Sequence, residues 1–532
     1  MDYKKQQQNY SRWASTEEIT ASLHKIKHSD KSSVYGGIPL YADSEAVYIE
    51  HLDSHSLVIG STGSKKTRLI GMPALQMYIK GEESFIATDP KAELYERIYP
   101  MLKEQEYDIF VLNLREPKLS NSWNPFFVPY KQYKNGEKDQ AISNIIDMAN
   151  CICAKQSSYD PYWENSASDL LAGLILTLFE CAIENEVNLF SLRTLRNQAF
   201  KCESYRGDNN SSFINEEFLK KLDNSTYIYS LLCGTAEVCD VTRGCIISAF
   251  DQALKPFLSN DTLIKMLSFN DLDMSSIGNK KTAVFLIIPD ETTIYHPLVS
   301  VFVKQCYTAL IQEAQKNKNK KLPLRVNFLL DEFTALPAIS DFPAMITASR
   351  SRNIRFNLLI QSYNQLVKRY DHEAEIIKGN CENIVFLHSR ELVLLNEIIG
   401  LSGRKQNNES LVSVSMLQTL DKNKGEVFIL HKRLNPYIAN LLDIDALPKN
   451  HSSKKQIVYP KLRIPKSSIF NFVDFCDKYM DDFYRLLFTE KNPTDKKTYE
   501  KSFYEDMTKP EPSTKEIDLS IFDYIPEKGE TA

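Results

Sequence analysis

No run in this 532-residue sequence reaches the roughly 18 apolar residues that a membrane-spanning helix requires. The longest apolar run of interest, Thr282 to Pro289, has the length of a buried strand. The opening MDYKKQQQNYSRW is polar and charged, unlike a secretory signal. These absences lead to the expectation of a soluble chain in a reducing, cytosolic compartment. Zinc-ligand spacing is missing too. Cys151 and Cys153 lie too close for a usual pair, and Cys233, Cys239 and Cys245 recur at a six-residue spacing that no zinc motif uses. The cysteines therefore read as reduced, mostly buried thiols. Excess positive charge is lacking: the net charge of −5 advertises no nucleic-acid surface at the level of the whole chain. A ring-shaped motor needs positive charge only on its channel loops, so that class stays open. There is no internal repeat.

The apolar fraction of 43% and charged fraction of 25% are those of an ordinary globular protein. At roughly 100–200 residues per domain, the length implies two to four units. Short apolar runs bounded by polar residues mark strands at Ser56–Ile59, Ser84–Thr88, Asp108–Leu114, Thr282–Pro289, Val326–Phe333, Ile354–Gln361, Asn383–Ser389 and Glu426–Lys432. Their alternation with helical stretches such as Arg68–Lys80 indicates a parallel α/β sheet. Between about 130 and 280 the pattern becomes helical, as in Ala167–Ala182 and Ala249–Leu267. The expected organisation is an amino-terminal segment over 1–50, with a helix start at Ala14–Glu18. An α/β domain over 51–129 and 280–450 follows, with an all-helical insertion over 130–279 and a carboxy-terminal extension over 451–532. Lys316–Lys321 reads as a solvated basic turn. From about Thr489 the composition is that of a disordered tail, and Ile521–Ile525 is a frayed end with the character of a docking peptide.

The strand Ser56–Ile59 runs into Gly60-Ser61-Thr62-Gly63-Ser64-Lys65-Lys66-Thr67 and then a helical pattern. Strand, glycine-rich turn and helix make a phosphate cradle from backbone N–H groups, with a lysine reaching the terminal phosphates. Lys66 is the phosphate lysine and Thr67 the hydroxyl for magnesium. Lys65 stands where such loops carry glycine, bringing bulk and charge where backbone should approach phosphate closely. Downstream, the apolar run from Val326 ends in Asp331-Glu332. In a P-loop ATPase the first carboxylate holds magnesium through water and the second polarises the attacking water. Gln361, ending the next strand, suits a sensor of the terminal phosphate. Arg350, before that strand, suits an arginine finger acting on a neighbouring subunit. Taken singly, each is an ordinary surface polar group; jointly they gain weight.

From Trp13 to Tyr437 these elements resemble the type IV coupling proteins, the TraG-like conjugation ATPases. The resemblance rests on Trp13-Ala14-Ser15 with Glu18-Ile19, Asp89-Pro90-Lys91, Ser122-Trp123-Asn124-Pro125-Phe126, Tyr162-Trp163-Glu164, Asp331-Glu332-Phe333, and Arg350–Arg355 with Gln361-Ser362 and Gln365-Leu366. It implies a RecA-like P-loop domain with an inserted all-helical domain, ATP and Mg2+ as cofactors, and assembly as a homo-hexamer. The implied partners are DNA, single-stranded or relaxase-bound, the relaxase itself, and the ATPases and membrane proteins of the secretion channel. Many such proteins begin with membrane-spanning helices, so this chain is expected at the cytoplasmic face of the membrane, tethered by a partner. Two rival readings are a ring that recruits relaxase but hydrolyses ATP poorly, and a chromosome-type double-stranded DNA pump. Lys65 favours the first; the inserted helical region and Asp89-Pro90-Lys91 count against the second.

Overall fold

The computed structural model describes residues 10–153, 161–200, 212–447, 457–463 and 468–488. The expected tail from Thr489 and the Ile521–Ile525 patch lie outside them. Two compact units emerge, one of Met1–Asn121 with Leu272–Lys461 and one of Ser122–Asp271 with Leu462–Ala532.

In the first unit the strands are β1 (His24–Lys27), β2 (Ile38–Ala42), β3 (Ala46–Glu50), β4 (Ser56–Gly60), β5 (Ser84–Asp89), β6 (Asp108–Asn113), β7 (Thr282–Ile287), β8 (Val326–Leu330), β9 (Ile354–Ile360), β10 (Asn383–His388), β11 (Glu426–His431) and β12 (Tyr437–Asn440). Nine of them form one sheet in the order β12-β11-β10-β4-β9-β8-β5-β7-β6. From β10 to β6 all neighbours are parallel, which requires helical crossovers and explains why β4, β5, β7, β8 and β9 are buried along their whole length. The sheet is not parallel throughout, as the sequence led us to expect. β11 runs antiparallel to β10, and β12 antiparallel to β11, where the link between the two strands is too short for a crossover.

The segment before β4 is also more structured than its polarity suggested. The helix Thr16–Ser22 opens on a capping box: Glu18 N–H donates to Ser15 Oγ at 3.3 Å and Ser15 N–H to Glu18 Oε2 at 2.9 Å. β1, β3 and β2 then form an antiparallel three-stranded sheet. Its Ile26, Leu40, Val47 and Ile49 join the same core as Leu75, Ile79 and Phe85. Lys316–Lys321 is a turn between the helix His296–Lys316 and β8.

Among the described residues the second unit is helical without strands. Its central helix, Tyr162–Cys181, is buried on nearly every side from Ala167 onward and packs against the helices Lys138–Cys153, Tyr227–Ala236 and Asp240–Leu258. Gly173 permits the closest approach, since a Cβ there would meet Leu232 Cδ2 at 2.5 Å. The helical stretch expected over Ala249–Leu267 is broken at Ser259, where the Asn260 side chain accepts from Leu263 N–H and caps a new helix, Asp261–Met266. The ends of the unit are stapled together: Ser122 N–H donates to Asp271 Oδ2 at 2.7 Å and Asp271 N–H to Ser122 O at 3.0 Å. Trp123 is fully buried and Asn124 Nδ2 donates to Val187 O at 2.8 Å, so the Asn-Pro turn packs with the helices. No helix among the described residues is long and apolar enough to cross a membrane.

Candidate nucleotide-binding site

At the carboxyl end of β4 the chain turns through Gly60–Lys66 into a π-helical turn, Thr67–Gly71, and then the helix Met72–Lys80. A π-turn at this point is the kind of irregularity that marks functional sites. Gly60 is required because a Cβ would meet Ser64 Oγ at 2.5 Å. Lys66 is 6% exposed, and its ammonium donates to Gly60 O at 2.7 Å, folding back across the loop. Ser64 Oγ is buried inside the turn without a hydrogen-bond partner. Lys65 sits at φ +68°, the left-handed region that glycine favours, so the substitution has kept the loop's backbone turn at the cost of strain.

β8 lies one strand beyond β9 and delivers the carboxylates to the same end of the sheet. Thr67 Oγ1 donates to Asp331 Oδ2 at 2.7 Å, and Thr88 Oγ1 on β5 donates to Asp331 O at 2.8 Å. Burial pushes the Asp331 carboxyl up to about 6, with the Thr67 hydrogen bond acting the other way. Glu332 adopts φ +55°, a strained turn immediately after the strand. Its Oε1 lies 3.8 Å from the Lys66 ammonium, and its Oε2 accepts from Gln361 Nε2 at 2.7 Å. Gln361 Oε1 in turn accepts from Thr62 Oγ1 at 3.0 Å. One chain of contacts thus joins the loop, the carboxylate pair and the end of β9. These residues line a cleft of about 580 Å³, with Pro90, Lys91 and His296 on its wall.

Arg350 is the exception. It precedes β9 at the amino end of the strands, a strand length of roughly 20 Å from Gln361. There its guanidinium pairs with Glu382 Oε1 at 2.8 Å. The structure does not bring Arg350 to its own chain's cleft; the contact it makes instead is the ion pair with Glu382.

Two groups of contacts escaped the sequence reading. Ser61 N–H donates to His388 O at 2.9 Å and Ser61 Oγ bonds His388 Nδ1 at 2.9 Å, tying the loop to the end of β10. The register shift after Phe386 turns His388 toward the loop, a bulge with no sequence signature. Asp443 and Asp445 both pair with Arg68, Asp445 also pairs with Arg97 at 2.7 Å, and Asp443 Oδ2 lies 3.6 Å from the Lys65 ammonium. Some 375 residues separate Arg68 from Asp443, so nothing local announces the pair.

The parallel sheet with a glycine-rich loop after β4 and paired carboxylates after β8 defines a RecA-like P-loop fold. The chain belongs to the family described as "Type IV secretory system Conjugative DNA transfer", whose profile matches residues 4–423. The protein VirD4 of Rhizobium radiobacter is 25% identical over 372 residues, covering 68% of this chain and 50% of that protein. The chain therefore spans about half the length of this curated relative. Among solved structures, the plasmid coupling protein TrwB in complex with the non-hydrolysable ATP analogue ADPNP superposes with a TM-score of 0.58 at 15% identity, covering 85% of this chain and 97% of that one. TrwB in complex with ADP and Mg2+ gives 0.54 at 15% identity, over 77% and 88%.

Proposed function

We propose that this chain is an ATP-dependent coupling protein that moves DNA, or a relaxase–DNA complex, to a type IV secretion channel. The observation that carries the reading is the convergence of Thr67, Asp331, Lys66, Glu332 and Gln361 on one cleft through successive contacts of 2.7, 3.8 and 2.7 Å. ADPNP, and ADP with Mg2+, in the TrwB structures support ATP and magnesium as its ligands.

The residues present fit both. Ser64 Oγ is a buried polar atom without a partner inside the turn, as expected of a cradle shaped for phosphate oxygens. The Asp331 side chain lines the cleft at only 5% exposure, and burial raises its pKa, a shift that a divalent cation would reverse. Thr67 Oγ1 and Asp331 would hold magnesium, which neutralises phosphate charge when bound. Lys66 leaves Gly60 O to bind the terminal phosphates. Glu332, aimed by Gln361, accepts a proton from the attacking water, and Gln361 transmits the presence of the terminal phosphate to Thr62. Arg350 acts on the nucleotide of the adjacent subunit in a homo-hexamer. Relaxase, channel ATPases and membrane proteins are the partners, at the cytoplasmic face of the membrane. The domain plan we propose is a RecA-like unit interrupted by the helical one.

A second reading, a ring that recruits relaxase but hydrolyses ATP poorly, is favoured by Lys65, which stands in the loop that lines the cleft. ATP turnover of the full chain with and without single-stranded DNA separates the two. The coupling motor turns over ATP faster with DNA and loses that activity in Lys66→Ala. Turnover no higher in the wild type than in Lys66→Ala, under both conditions, refutes the motor.

A further inference from the structure

Lys65 brings a second ammonium to the phosphate loop, and its present partner is a carboxylate rather than a ligand. The segment Leu441–Leu447 meets the π-helical turn that follows the loop. Ile444 N–H donates to Arg68 O at 3.3 Å, and Ile444 and Leu447 are buried in the core, 2% and 5% exposed. These apolar anchors fix Asp443 and Asp445 in place. Asp443 is engaged by Arg68 through both carboxylate oxygens, with Nε–Oδ2 at 3.1 Å and Nη2 on Oδ1. Lys65 Nζ is 3.6 Å from Oδ2, beyond hydrogen-bond length, and the two side chains are 29% and 23% exposed.

The asymmetry between the two pairings matters. Arg68 holds Asp443 as a planar fork, a strong and geometrically specific arrangement. Lys65 adds only a loose charge contact on a flexible four-carbon stem, and Asp443 keeps its partner if Lys65 departs. A polyphosphate in the adjoining cleft offers Lys65 more negative charge than a carboxylate already neutralised by Arg68.

Resting on the ATP site proposed above, we propose that Asp443 is a positioning residue that competes with nucleotide phosphate for the Lys65 ammonium, so that Lys65 exchanges partners when nucleotide binds. In the free protein Asp443 holds Lys65 off the phosphate path. With nucleotide present, Lys65 joins Lys66 as a second phosphate-binding cation. The substitution of the loop glycine is thereby turned from an obstruction into a contact.

The test is a double-mutant cycle on the full chain, with magnesium-ATP binding measured by calorimetry for the wild type, Asp443→Asn, Lys65→Gly and the double variant. Removing the competitor should tighten ATP binding by about 2–5-fold, the size of a half-exposed ion pair. The tightening should disappear when the same change is made in Lys65→Gly. An equal change in both backgrounds, or none, overturns the exchange and leaves Asp443 a structural partner of Arg68. Should Asp443→Asn fail to fold, Lys65→Met carries the test: ATP binding weakens by about 2–5-fold if Lys65 contacts phosphate, and unchanged or tighter binding overturns the inference. A wild-type chain that binds no ATP refutes the nucleotide site itself, whereas binding without a Lys65-dependent change refutes this inference alone.

Discussion

Replacing Lys65 by glycine and by alanine separates the backbone demand of the loop from the chemistry of its side chain. At φ +68° an L-residue carries a left-handed conformation that costs about 1–2 kcal/mol relative to a right-handed one. Alanine keeps that cost and loses the contact with Asp443. Glycine removes the strain but gains about 0.5–1 kcal/mol of unfolded-state entropy to be overcome on folding. The difference leaves Lys65→Gly more stable than Lys65→Ala by about 1 kcal/mol. The wild type should fall between them or near glycine, since the Asp443 pair is worth about 0.2–1 kcal/mol at its 29% and 23% exposure. In a thermal melt this appears as a gap of about 1–3 °C between the two variants for a unit of this size. Alanine as stable as glycine, or more so, would show that the loop does not turn through the left-handed region at 65.

Three further outcomes are expected. Arg350→Ala should cost under about 1 kcal/mol in stability through loss of the half-exposed Glu382 pair, yet lower turnover steeply, a finger being worth roughly 10³–10⁵ in rate. Mixed rings with Lys66→Ala subunits should regain activity, and no recovery in verified mixed rings would leave Arg350 with the Glu382 role only. His55 is buried, and its Nε2–H donates to Ile346 O at 2.8 Å while Nδ1 accepts from Phe356 N–H at 2.9 Å, so only the neutral ring fits and its pKa is lowered to about 4 by burial. The unfolded chain then binds the extra proton between about pH 6.5 and 4, and stability falls as pH is lowered through that window, by about 2 kcal/mol from pH 7 to 5; the slope should flatten in His55→Gln, and an unchanged slope refutes the assignment. DNA binding should weaken steeply with salt and depend little on sequence, because a translocase grips the backbone; affinity constant between low and moderate salt contradicts this.

How much of this was legible in the sequence follows from the range of the interactions concerned. β4, β5, β7, β8 and β9 are buried on both faces, so their residues form mainly apolar runs that stand out from the chain, even with Asn327, Arg355 and Asn357 inside β8 and β9. The loop Gly60–Thr67 and the pair Asp331-Glu332 are each contiguous, and the sheet order makes their meeting a consequence of topology. β1, with HKIK, has one buried residue in four and gives no such signal. β12, Tyr437–Asn440, is equally short, and its antiparallel pairing depends on a connection rather than on composition. The clamp of Asp443 and Asp445 on Arg68 and the His388 bond to Ser61 join residues hundreds of positions apart. Arg350 illustrates the converse: its place in the sequence suggested a finger for a neighbouring subunit, and strand direction puts it at the opposite end of β9 from its own cleft, beside Glu382.

The central claim is that the cleft hydrolyses ATP through Glu332, which the Lys66 ammonium and Gln361 hold at the end of β8. Glu332→Gln preserves the shape and the capacity to bond Gln361 while removing the carboxylate that takes the proton. Magnesium-ATP binding and steady-state turnover should be measured on the same preparation of this variant and the wild type. The account predicts binding within about threefold of the wild type and turnover reduced by roughly 10²–10⁴-fold, the range for loss of a positioned base. Turnover equal to that of the wild type would contradict it.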